Sequence, residues 1–157
     1  MDKYLVILID SLLKKTKYLD EIGENLQKQE QALASKEFSL ETVGELMEQK
    51  SEIIEKMNQL DDGFTSLYER VAPELKRDPT DYTDKVRQMQ DLITEISSKI
   101  ALIQAREMRI HAAVEKTINT LRPSEARTVN RAEVAARYYK TMKKATTPTS
   151  VFINKKN

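Results

Sequence analysis

His111 is the only histidine in the 157-residue sequence, and so the one side chain whose ordinary titration lies near neutral pH. It stands four residues after a carboxylate, as Glu107-x-x-x-His111. A di-metal centre in a helix bundle needs two Glu-x-x-His pairs from facing helices, and this chain has one histidine at a different spacing. His111 therefore reads as a partly exposed residue beside a helical seam. There is no cysteine, which excludes disulfides, thiolate-bound zinc and thiol nucleophiles. Asp61-Asp62 lacks the further oxygen donors of a calcium loop and reads as one core interruption plus one surface charge. No Gly-x-Ser-x-Gly, P-loop or Gly-x-Gly-x-x-Gly occurs among only 3 glycines. The expectation is a protein that is not an enzyme, with no cofactor, no metal site and no small-molecule substrate.

The longest apolar run, Tyr4 to Ile9, is six residues, too short for a membrane span or a signal-peptide core. A cytoplasmic protein is expected. The net charge of +1 hides a division. From Arg122 onward nine Lys and Arg stand against two Glu, a net +7, which leaves −6 for residues 1–121. An acidic body with a basic tail is one chain of two characters.

The body carries heptad columns throughout. Leu5, Leu12, Leu19, Leu26 and Leu33 form one, and Leu8 and Ile22 mark the other half of the seam, interrupted by Lys15 and Gln29. This predicts a first helix over about 2–34. Ser39 is placed to cap a second helix, with Glu41 in its first turn. Its columns are Val43, Lys50, Met57, Phe64 and Val71; Leu46, Ile53, Leu60 and Leu67; and Met47, Ile54, Asp61, Tyr68 and Leu75. So wide a stripe faces two neighbours. The columns keep phase across Asp62-Gly63, a frequent turn dipeptide, so one continuous helix to about Val71 is expected, ended or kinked by Pro73. Asp78 is read as the cap of a third helix, with Pro79 at its first position and Asp81 in its first turn. Its columns are Val86, Ile93, Ile100, Glu107, Val114, Leu121 and Met89, Ile96, Ile103, Ile110, Thr117, and it stops before Pro123.

Short loops at about 35–38 and 73–79 favour antiparallel neighbours. The predicted fold is all-α: an elongated, coiled-coil-like antiparallel three-helix bundle over 1–122, with a basic amphipathic C-terminal arm over 123–157. In such a hairpin Lys50 and Glu107 lie level, and Lys15 and Asp61 nearly so across the first turn. Each is an opposite-charge pair in a seam, suited to fixing register. Packing of the three helices is expected to use all the body's apolar columns.

Beyond Pro123, Val134, Tyr138 and Met142 are spaced by four with Tyr139 alongside, and Val151-Phe152-Ile153 follows a polar linker. These seven residues have no evident core to join and are the candidate partner-binding residues. The same segment allows two lesser readings. One is a fourth helix folded back on the bundle. The other is a nucleic-acid surface, with Tyr138 and Tyr139 as stacking platforms, although no nucleic-acid-binding motif is present.

The Leu-heptad first helix is followed by Ala-Leu-Ala-Ser-Lys-Glu-Phe-Ser-Leu-Glu (32–41) and Leu-Met-Glu-Gln-Lys-Ser-Glu-Ile-Ile-Glu-Lys-Met (46–57). This resembles the FlgN family of flagellar export chaperones over roughly 1–121. The resemblance implies a helical, cytoplasmic chaperone that binds hook–filament junction (hook-associated) proteins before type III secretion and works with the export apparatus. It also implies that the C-terminal helical region holds the substrate. The alternative is another helical coiled-coil adaptor or secretion chaperone, such as a FliT-type relative. Oligomeric state is not readable from the sequence.

Overall fold

The computed structural model describes residues 1–35, 39–77 and 80–120. Three helices pack on one another, with no strand among the described residues: α1 (Asp2–Ala34), α2 (Leu40–Arg77) and α3 (Thr83–Thr120). α2 and α3 have 38 residues each, about 57 Å of helix.

α1 has the expected bounds. It ends as Ser35 turns extended (φ −70°, ψ 142°) and its backbone N–H donates to the Ala32 carbonyl. Ser39 caps α2 as its position suggested: its Oγ accepts from the Thr42 N–H at 3.4 Å, satisfying a donor with no partner inside the helix. α2 then runs unbroken through Asp62-Gly63, with both residues exposed on the outer face.

Two boundaries differ from the sequence reading. α2 continues through Pro73 to Arg77. Proline removes one helical N–H and costs about 3 kcal/mol in a helix interior. Here Pro73 is exposed, with buried Val71 before it and partly buried Leu75 after it. Apolar contacts on both sides hold the last turn down. α3 starts at Thr83, later than expected, because Thr80–Tyr82 forms a turn. The Thr83 hydroxyl donates to the Thr80 carbonyl at 3.1 Å, and the Val86 N–H donates to the Tyr82 carbonyl at 2.9 Å. Asp81 thus lies in the turn, and Asp84 supplies the acid of the first helical turn. The proposed cap Asp78 and Pro79 lie outside the described residues, as do Leu121 and Pro123.

The core follows the heptad columns closely. Leu5, Leu8, Leu12, Leu19, Ile22 and Leu26 of α1 meet Val43, Met47, Ile54, Met57 and Phe64 of α2. From α3 come Met89, Ile96, Ile100, Ile103, Ile110 and Val114. α1 is the central element. Its backbone runs close to both other helices, whereas the α2 and α3 backbones hardly approach one another. Pairs between α1 and α3 advance in step along the two helices. Asp2 meets Lys85 at 3.8 Å, Asp20 meets Lys99, and Glu30 meets Arg106 Nε at 2.8 Å. Such partly exposed pairs add at most about 1 kcal/mol each.

The apolar columns are not all used up in packing. Leu46, Ile53, Leu60 and Leu67, one flank of the wide α2 stripe, are only partly buried, and of these Ile53 and Leu67 pack against the core. Leu102 and Met108 of α3 are each 67% exposed. With two neighbours in contact with α1 and little backbone contact between α2 and α3, that stripe is wider than the packing requires.

Candidate functional site

The seven residues that the sequence marks for partner binding, Val134, Tyr138, Tyr139, Met142, Val151, Phe152 and Ile153, lie outside the described residues. So does the whole 123–157 arm. Within the described residues, two features bear on function: buried polar pairs at two heights along the bundle and a groove between α2 and α3.

The buried pairs sit where the heptad columns are broken. Lys15 of α1 donates through Nζ to both carboxylate oxygens of Asp61 of α2, each at 2.8 Å. Lys50 of α2 donates to Oε1 of Glu107 of α3 at 2.5 Å. All four residues are at most 5% exposed. The two pairs expected from seam arithmetic are thus both made. The Lys50–Glu107 pair joins α2 to α3, whose backbones hardly approach one another. Burial pushes the Lys50 ammonium below its ordinary range, with the charge and hydrogen bond of Glu107 pulling the other way. Burial likewise pushes the Asp61 carboxyl up, opposed by Lys15 and aided by the neighbouring Asp62. In both groups desolvation outweighs the partner, so neither pair is a strong stabiliser.

A third buried polar contact was not anticipated. Asn25 Nδ2 donates to the Leu46 carbonyl at 2.8 Å, and its Oδ1 accepts from Gln29 Nε2 at 2.7 Å. Gln29 had been read as an interruption of its column; it is fully buried there and tied to Asn25 one turn earlier. The signal was present in the sequence, as two amides four residues apart on the buried face of α1. His111 is partly exposed as expected, with Nε2 3.0 Å from Glu115 Oε1 one turn on. No cluster of three potential metal ligands occurs among the described residues.

The groove lies toward the connected ends of α2 and α3. Tyr68, Ala72 and Leu75 form one wall, and Val86, Met89 and Ile93 the other. Its volume is about 460 Å³. Lys76 and Arg87 bring positive charge to the lining, with Thr83 and Gln90 as its uncharged polar members. The Tyr68 ring lies parallel to that of Phe64, with centroids 6.0 Å apart and an interplanar angle of 7°. Sequence reasoning missed this groove because it assigned the Tyr68–Leu75 and Val86–Ile93 stretches to a closed core.

Comparison with protein-family models, curated proteins and solved structures returns no match. No helix among the described residues is long and apolar enough to cross a membrane.

Proposed function

We propose that this chain is a cytoplasmic, non-enzymatic export chaperone of the FlgN type, which holds hook-associated flagellar proteins before their secretion. The observation that carries the reading lies at the junction of α1 and α2. The segment 32–41 that resembles the family closes one long helix at Ala34 and opens the next at Leu40, and the resembling stretch 46–57 falls inside α2. A Leu-heptad helix, a short turn and a Leu/Glu/Lys-rich second helix are the order that the resemblance implies. Three mutually packed helices agree with it.

In this reading the body is an elongated, coiled-coil-like bundle running up, down and up, with α2 antiparallel to both neighbours. The stepwise pairing of α1 with α3 and the level pairing of Lys50 with Glu107 support that arrangement. The arm 123–157 is the capture element. Val134, Tyr138, Tyr139, Met142, Val151, Phe152 and Ile153 supply apolar contact, and nine basic residues in 122–157 speed encounter with an acidic partner. Tyr and Met suit an adaptable interface, because they give contact area without demanding one fixed geometry. The test is affinity capture from a flagellated cell by the full chain and by a chain ending at residue 122. Hook-associated proteins should be recovered with the full chain and lost with the shorter one. Recovery of an unrelated complex by both would favour a general coiled-coil adaptor.

A further inference from the structure

Cover over the core thins at one end. In α2 the column Met47, Ile54 and Asp61 is buried, and its next members, Tyr68 and Leu75, are only partly buried at the edge of the core. In α3 Ile100, Glu107 and Val114 are buried, while Ile93 and Val86, earlier members of the same column, are only partly buried. Both columns lose part of their cover on the walls of the 460 Å³ groove.

We propose that this groove is a docking site for an acidic amphipathic helix of another protein. The argument rests on shape, apolar spacing and charge. Tyr68, Ala72 and Leu75 are spaced by four and three, which places them in one row on α2. Val86, Met89 and Ile93 make the matching row on α3. Each row runs about 10 Å, two turns of helix. A third helix laid between two others repeats the packing that α1 makes elsewhere in the bundle, reading its partner through anchors at i, i+3 or i+4 and i+7. The stacked Phe64–Tyr68 pair sets one wall in place before any ligand arrives.

Charge selects the occupant. Among the described residues, the charged ones lining the groove are Lys76 and Arg87, both cationic. They favour a segment with carboxylates flanking its apolar stripe. They disfavour the chain's own C-terminal segment, which carries nine basic and two acidic residues from Arg122 onward. The inference does not depend on the export-chaperone reading. The groove is built from described residues in α2 and α3, whereas that reading places capture in the arm.

The chain reports on its own groove. Met89, itself 5% exposed, lines the floor of the groove, while Met47 and Met57 are core residues that do not line it and serve as internal controls. The experiment labels the methionine methyls of the full chain with carbon-13. It then titrates a synthetic amphipathic helical peptide of about four turns, Leu on one face and flanked by Glu, against a twin flanked by Lys. The Glu peptide should shift the Met89 methyl saturably and leave Met47 and Met57 in place. The Lys twin should bind about tenfold more weakly or less. Lys76→Glu with Arg87→Glu should reverse the order of the two peptides, and Ala72→Phe should weaken both. Because the chain has no cysteine, Ser150→Cys carries a single spin label that tests the internal alternative. Broadening of Met89 by that label would give the groove to the chain's own arm. A peptide-free Met89 shift that grows with protein concentration would give it to a second copy. Either result overturns the proposal, as does the absence of a saturable shift or equal affinity for the two peptides.

Discussion

Replacing Lys50 by Met tests the buried pair at its most sensitive point. Methionine keeps a long unbranched stem in the seam and deletes the charge. Glu107, 2% exposed, then loses the Lys50 ammonium while staying buried. Removing one partner of a buried pair costs about 3–5 kcal/mol. A domain of this size has about 5–15 kcal/mol in all, so Lys50→Met alone should remove a large fraction of its stability. Adding Glu107→Leu turns the pair apolar. Because desolvation already outweighs the attraction at Lys50, the double variant should match wild-type stability or exceed it, by up to about 4 kcal/mol. Urea unfolding followed by far-UV circular dichroism reads all three proteins. With slopes of about 1–3 kcal/mol/M, the single variant should lose more than about 1 M in midpoint and the double variant should recover it. A single variant within about 1 kcal/mol of wild type would refute the reasoning, since Glu107 would then have reached water.

The same double variant isolates a pH effect. The unfolded chain keeps the Lys50 proton to about pH 10.4, and burial makes the folded chain release it lower. Unfolding in that window takes up a proton, so wild-type stability should gain from this group as pH rises toward 10.4, and the Lys50→Met/Glu107→Leu protein should lack that gain in parallel urea melts. Asp61 acts in the acid range with the opposite slope. Its raised folded pKa means that its contribution falls as pH rises from about 3.9 through the folded value, which carboxyl carbon chemical shifts will locate. Gly63→Ala should stabilise by about 0.5–1 kcal/mol, because a Cβ there meets nothing within 4 Å and the backbone is helical; thermal melts check it. Ile96→Ala, at a 3% exposed site, should cost about 2–5 kcal/mol, and half-buried Leu60→Ala clearly less, measured by urea unfolding.

What the sequence made legible was the set of features that heptad periodicity controls. Column phase placed the three helices, carried α2 through Asp62-Gly63 and set Lys50 level with Glu107, because a 3.5-residue repeat fixes which positions meet in a seam. Periodicity says less about where a helix stops. Pro73 is a strong local breaker, yet the flanking contacts of Val71 and Leu75 outweigh it. Asp81 has the right chemistry for a first helical turn, yet Thr80–Tyr82 closes a turn of its own before Thr83. Burial along a column was also only partly readable. Tyr68 and Leu75 share phase with Met47 and Ile54, and nothing in their spacing reveals that the partner column on α3 loses part of its cover beside them. The groove is a property of how two helices sit together, which the pattern on either one does not contain. The arm residues Val134 to Ile153 were singled out by composition, and they lie outside the described residues.

The central claim is that the chain captures an exported flagellar protein through its C-terminal arm. Its most direct test is a calorimetric titration of purified hook-associated protein into the full chain and into the chain ending at residue 122. The account predicts saturable one-site binding to the full chain and at least about a hundredfold loss without the arm, equivalent to about 2.7 kcal/mol. Equal affinity for both chains, or no heat of binding to the full chain at any accessible concentration, would contradict it.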